Sequence, residues 1–313
     1  MPSYDNALDK VFVKITLIGH FCVDLFHRND GTEEKKFGGI YHAVAAMSNI
    51  ASEKDTLFPV FGVGKQEIEE VKSLFLQLGN VEVSGIFELP GGSNLVHYYD
   101  DQPNERVENI SPPIQFKAIR DFLNVDGIYI NMISGADITL ETLDRIRLEV
   151  RSKRIPIHFD VHCLTLSINP DGTRFRRAMS DWRRWCFMTD SIQMNEEEAH
   201  GITLEHFGDE AFAKQMMPLM VKAFVVTRGK GGVTLFRDEH KVLKRNDYSD
   251  GKNETPVSEI GSGDIFGASF LYGFLKKKNY MDAVQFAQQV ASYSTRFSIL
   301  EKHRELRSFR GTI

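Results

Sequence analysis

The sequence predicts an α/β fold, a three-layer α/β/α sandwich around a mainly parallel central sheet, with a small β lid. Three observations predict it. Apolar, β-branched runs recur along the chain, and each is followed by a stretch of helical periodicity. The length and apolar content, 313 residues at 42% hydrophobic, suffice to bury such a sheet. Strands that alternate with helices require crossovers, and crossovers place helices over both faces of a parallel sheet.

In chain order, VFVKITLIG (11–19) predicts the first strand and IYHAVAAMSNIASE (40–53) a helix. TLFPVFGVG (56–64) predicts the next strand, followed by the helix QEIEEVKSLFLQLG (66–79). GIYINMI (127–133), IPIHFDV (155–161) and KAFVVTRG (222–229) predict three more strands, with a helix over ADITLETLDRIRLEV (136–150). Two stretches, about 20–37 and 83–110, break this rhythm with short polar and apolar alternations punctuated by Gly91, Gly92 and Pro103. They read as antiparallel strands projecting from the sheet edge as a lid, or equally as ordinary surface hairpins. No internal repeat is present, so residues 1–313 read as a single domain.

Charge is nearly balanced, 38 Lys and Arg against 43 Asp and Glu, a formal net of −5. That leaves no electrostatic footprint for nucleic acid or an anionic membrane and points to a small-molecule partner. The cysteines, Cys22, Cys163 and Cys186, are widely spaced without a CxxC pair, which predicts buried reduced thiols rather than disulfides or a zinc site. No basic-then-apolar leader opens the sequence and no long apolar run occurs, so a soluble cytoplasmic protein is expected.

The segment PVSEIGSGDIFGASFLYGFLKKK (256–278) carries the chemistry. Gly261, Ser262 and Gly263 precede a long apolar helix and would leave backbone N–H groups free at its amino terminus, a site suited to a transferring phosphoryl group. Asp264, in the first turn, could take a proton from an attacking hydroxyl. The plainer reading is a helix cap, for which Ser and Asp are favoured on ordinary grounds.

GSGDIFGASFLYGF resembles the GAGD signature of the ribokinase/PfkB carbohydrate kinases, whose usual form is D-T-T-G-A-G-D-x-F. The resemblance implies a ribokinase-like fold and an ATP-dependent kinase that transfers the γ-phosphoryl group to a hydroxyl of a sugar, nucleoside or related polyol. It implies that Gly261, Ser262 and Gly263 form an anion hole and that Asp264 is the catalytic base. Ser258, Glu259 and Ile260 replace the usual Asp-Thr-Thr, a segment tied to a monovalent cation site in many members, so potassium activation loses its support.

Further matches follow in family order. VVTRGKGGVTLF (225–236) resembles the glycine turn bordering the nucleotide, with Thr227, Gly229 and Gly232 at the matching positions. QMNEEEAHG (193–201) resembles the N-x-x-E motif, implying that Asn195 and Glu198 help hold Mg2+; a solvated helix start is the plainer reading. FAQQVASYS (286–294) resembles the helix over the adenine, with Gln288 in place of asparagine.

On the acceptor side, Asp24 matches the family aspartate that holds acceptor hydroxyls, and Gly38 and Gly39 match its double glycine. Ala43 replaces an asparagine, and the neighbouring His42 could supply the missing polarity or equally be an ordinary, partly exposed helix histidine. In HFDVHCLT (158–165), Asp160 fits the pattern D-x-N-x-R whereas His162 and Leu164 do not. Relatives often dimerise through the lid, which implies a possible homodimer. The departures keep a second class open: a kinase-like protein that binds a nucleotide or metabolite as a sensor or scaffold. GVGKQE (62–67) lacks the third glycine of a dinucleotide fingerprint and the Ser/Thr of a P-loop, and no hydrolase motif is present.

Overall fold

The computed structural model describes residues 12–102, 105–249, 255–299 and 301–311. The amino-terminal segment and Pro103 lie outside the described residues. The strands are β1 (Lys14–Ile18), β2 (Phe21–His27), β3 (Glu33–Gly39), β4 (Thr56–Gly64), β5 (Ile86–Leu89), β6 (Asn94–Tyr99), β7 (Arg106–Glu108), β8 (Gly127–Asn131), β9 (Ile157–Asp160), β10 (Leu166–Ile168), β11 (Arg174–Arg176), β12 (Ser191–Asn195), β13 (Ala223–Thr227), β14 (Val233–Glu239) and β15 (Val242–Tyr248). Among the described residues a nine-stranded sheet runs β15-β14-β13-β12-β9-β8-β1-β4-β5. The strands from β13 to β5 pair in parallel, and the β14–β15 hairpin closes one edge antiparallel.

Helices cover both faces. They are α1 (Ile40–Ile50), α2 (Ile68–Leu76), α3 (Phe116–Ile119), α4 (Leu140–Val150), α5 (Trp182–Phe187), α6 (Glu196–Gly201), α7 (Asp209–Met216), α8 (Ser262–Lys277), α9 (Tyr280–Ser294) and α10 (Lys302–Glu305). Side-chain alternation along the strands settles the layering, because consecutive strand residues point to opposite faces. In β9, His158 packs on Phe270 of α8 while Phe159 stacks on Trp185 of α5. In β13, Phe224 meets Phe212 of α7 edge-on, whereas Val225 shares a cluster with Phe266 and Phe270 of α8. One layer therefore holds α8 and α9; the other holds α5 and α7.

Helix α8 is buried along most of its length, which explains its apolar sequence on every side. Gly267 lets it lie close to the sheet, since a Cβ there would meet the Tyr129 hydroxyl at 2.6 Å. Cys22, Cys163 and Cys186 are free and buried.

A second, four-stranded sheet runs β3-β2-β6-β7. It differs from the expected antiparallel lid in one pairing: β2 runs parallel to β6, with Asp24 opposite Val96. The start of the 83–110 stretch is also not in this sheet, because β5 joins the main sheet beside β4. The β10–β11 hairpin, whose strands are only 3 residues each, bridges to β7 through Thr173 and Arg106.

Candidate active site

The amino end of α8 is built around Gly261, which caps the helix at φ 76°, a conformation that favours glycine. A Cβ there would stand 2.6 Å from the His42 ring. The turn differs from the expected anion hole in one respect. Ser262 donates its N–H to the Glu259 carbonyl at 3.0 Å, so it is not free. The first-turn amides without a backbone acceptor among the described residues are those of Gly263 and Asp264.

This helix end separates two cavities that share Glu259 as a wall. On one side a cavity of about 340 Å³ is lined by Asp24, Gly39, His42, Tyr98, Arg174 and Asp264, among others. On the other, a cavity of about 210 Å³ is lined by Thr227, Gly229, Gly232, Ser262, Gly263 and Gln288, among others. Glycine is required at position 232, where φ is 86° and a Cβ would overlap the Tyr248 carbonyl.

In the first cavity, Asp264 Oδ1 accepts a 2.6 Å hydrogen bond from Asn131 Nδ2 and lies 3.7 Å from His162 Nε2. Burial raises its pKa, opposed by the charge of His162, the Asn131 hydrogen bond and the charge of Lys302. Asp24 is 2% exposed, and among the described residues no hydrogen bond or ion pair holds its carboxylate. Burial first, and then the Asp264 charge, push it up to about 7. Gly38 makes room for Asp24, because a Cβ there would overlap that carboxylate. The close backbone approach expected at Gly38 is thus to Asp24 rather than to open space.

His42 is not partly exposed, as the helix pattern suggested, but 2% exposed. The carboxyl-terminal segment covers it: His42 Nδ1 lies 3.0 Å from His303 Nε2 and the rings stack. Burial pushes His42 well below the ordinary imidazole value, which favours the neutral ring, and its Nε2 has no partner among the described residues. Phe26 and Tyr98 stack on each other at 4.8 Å, and Phe21 packs into the core against Phe61.

Asn195 and Glu198 form a capping box at the start of α6. Asn195 Oδ1 accepts from the Glu198 N–H and Glu198 Oε2 from the Asn195 N–H, each at 2.8 Å, while Asn195 Nδ2 donates to Oε1 at 2.6 Å. Neither residue lines either cavity wall. Among the described residues no group of three or more His, Cys, Asp and Glu is placed to hold a metal. Each carboxylate oxygen of Glu198 keeps a lone pair, which suits holding a hydrated ion through water rather than ligating it directly.

Sequence reasoning did not single out Asn131 or Arg174 and treated His162 only as a departure. One signal could have found the first. Asn131, Asp160, Asn195 and Thr227 are the last residues of β8, β9, β12 and β13, the strand ends where open α/β sheets bind ligands. Arg174 reaches the cavity from a hairpin with no pattern to mark it, and Nη1 donates to Glu105 Oε1 at 2.8 Å.

Comparison with solved structures decides the fold. A pyrophosphate-dependent kinase in the ribokinase family, complexed with a pyrophosphate analog and myo-inositol, superposes with a TM-score of 0.74 at 16% identity, over 94% of this chain and 100% of that one. This is the ribokinase fold. An Arabidopsis thaliana ribokinase complexed with ribose and ATP superposes with a TM-score of 0.69 at 15% identity, covering 96% of this chain and 100% of that chain. Residues 164–297 match the pfkB family carbohydrate kinase profile. That span includes Asn195, Glu198, Thr227, Gly229, Gly232, Asp264 and Gln288 and excludes Asp24, Gly38, Gly39 and His42. A 5-dehydro-2-deoxygluconokinase of Clostridium botulinum is 32% identical over 101 residues, 30% of this chain. The match spans 28% of that relative's length.

Proposed function

We propose that the protein is an ATP-dependent kinase that transfers the γ-phosphoryl group to a hydroxyl of a sugar, nucleoside or related polyol. One observation carries the reading. The amino end of α8 stands between two cavities, with Asp264 facing one and the amide-bearing turn Ser262–Gly263 facing the other. A phosphoryl group arriving from the Thr227–Gly232 side meets amides that have no backbone acceptor among the described residues and the positive helix end, while a hydroxyl on the Asp24 side meets two buried carboxyls.

In this reading Asp24 accepts the acceptor's hydroxyl hydrogens and orients the nucleophile. Asp264 takes the proton of the attacking hydroxyl; Asn131 and His162 hold its Oδ1, and the charges of His162 and Lys302 oppose the rise in pKa that burial causes. The amides of Gly263 and Asp264 donate to the oxygens on which charge develops. Asn195 and Glu198 would hold the water shell of a magnesium ion, which would supply neutralisation of the phosphate charge when bound with the nucleotide. The fold, the pfkB profile match and a neighbour whose structure contains ATP support this assignment. A pure binding protein has no need of a base at the start of α8, so Asp264 favours the kinase over the sensor.

The deciding experiment measures ATP consumption over a panel of sugars, nucleosides and cyclitols for the native chain and for Asp264→Asn. The substitution should lower acceptor-stimulated turnover about a thousandfold while calorimetric nucleotide binding is retained. Turnover that survives the substitution removes Asp264 from its role. Ligand-dependent stabilisation without turnover for any acceptor would favour the sensor.

A further inference from the structure

Lys302, at the start of α10, is 0% exposed. Lysine is almost never fully buried without a paired charge, because removing an ammonium from water costs several kcal/mol. Among the described residues no carboxylate lies within ion-pair distance of it. Its Nζ instead donates to the Ile260 carbonyl at 2.6 Å and the Ser258 carbonyl at 3.2 Å, with Ser258 Oγ at 3.5 Å. These oxygens belong to the strand of chain that runs directly into Gly261 and the amino end of α8. An ammonium held by neutral oxygens alone is chemically a dehydrated monovalent cation tethered to the protein.

We infer that Lys302 is the resident cation of the catalytic turn, a positioning residue that gathers the Ser258 and Ile260 carbonyls and so aims the Gly263 and Asp264 amides and the Asp264 carboxylate. Its charge also reaches the groups that face it. It favours ionised Asp264, and it disfavours protonation of His42 and His303, the stacked pair beside Gly261. One side chain thereby fixes the geometry of the turn and the charge state of its surroundings. The consequence is a protein indifferent to added monovalent cations, with the requirement built into residue 302.

The inference rests on the kinase reading for its activity arm, so it is tested by two measurements. In the first, an acceptor that supports wild-type turnover is assayed at constant ionic strength in tetramethylammonium, potassium and ammonium chloride. Wild type should vary by less than about twofold among the salts, Lys302→Ala should lose about 100-fold in kcat in tetramethylammonium, and ammonium or potassium should restore at least about tenfold of it. Lys302→Met, which fills the space without the charge, should lose activity and resist rescue. Strong potassium stimulation of wild type, undiminished kcat in either variant, or a folded Lys302→Ala that no cation rescues would each overturn the assignment.

The second measurement needs no turnover. Hydrogen exchange of the 258–264 amides should be faster in Lys302→Ala than in wild type and should slow again in ammonium. Unchanged protection overturns the role of Lys302 even if the kinase reading stands; lost and restored protection sustains it even if no acceptor is ever found. A Lys302→Ala chain that folds in ammonium but not in tetramethylammonium supports the inference. One that stays unfolded in both overturns it, since the lysine would then be needed for its packing rather than its charge.

Discussion

Asp24 is a buried carboxyl whose ionisation costs the fold stability. Its carboxyl titrates at about 7 in the folded chain, above the ordinary aspartate value of 3.8, because burial and the Asp264 charge disfavour ionisation. Between those two values the folded chain holds a proton that the unfolded chain has released. Stability from this group is therefore fully present below about pH 4 and is lost as the pH rises through about 7. A shift of this size corresponds to at most about 4 kcal/mol at pH 8. Asp24→Asn should accordingly raise the urea midpoint at pH 8, show little gain at pH 4, and abolish acceptor-stimulated turnover. An equal gain at both pH values would mean that the charge is not what strains the site. The sequence made Asp24 legible as a polar residue in an apolar run. It could not show Gly38 leaving room for the carboxylate, which comes from the β2–β3 pairing.

At the scale of elements, α6 is the clearest case of a short helix that depends on its first residues. It spans only Glu196–Gly201, too short to be stable alone, and the Asn195 and Glu198 capping box satisfies its leading amides. Asn195→Ala should cost about 1 kcal/mol in urea denaturation and Asn195→Asp should recover most of it. The magnesium dependence of turnover is the separate measurement that tests the proposed outer role of the pair. A stability loss with unchanged magnesium dependence would leave α6 as a cap and nothing more. The N-x-x-E spacing announced this helix start, while β12, which ends at Asn195, escaped notice. SIQMN is short and half polar, and it is a strand because β9 and β13 pair with it on both sides. The β10–β11 hairpin is hard to read for a related reason: LSI and RFR alternate, but over only 3 residues each, too few to mark a strand.

For the whole molecule, the two cavities and the lid define how ligands should be felt. Asp24 and Tyr98 belong to the lid strands β2 and β6, while Thr227 and Gly232 border the β13–β14 turn at the far side of α8. A polyol acceptor should therefore slow hydrogen exchange along 21–27 and 94–99, and a nucleotide should slow it along 227–233. The reverse pattern would exchange the roles of the two cavities.

What the sequence determined by itself is local. Runs of β-branched residues marked β1, β4, β8, β9 and β13, helical periodicity marked α1, α2 and α4, and a glycine turn before an apolar helix marked the start of α8, the proposed phosphate site. These signals survive because strand and helix periods, and the need for positive φ at Gly261, act within a few residues. Only the tertiary structure decided that β2 runs parallel to β6, that His303 buries His42 across 261 residues of chain, and that Lys302 reaches the carbonyls before α8. Those pairings join segments far apart in sequence, and no local pattern encodes which distant oxygen or ring will complete a buried polar group.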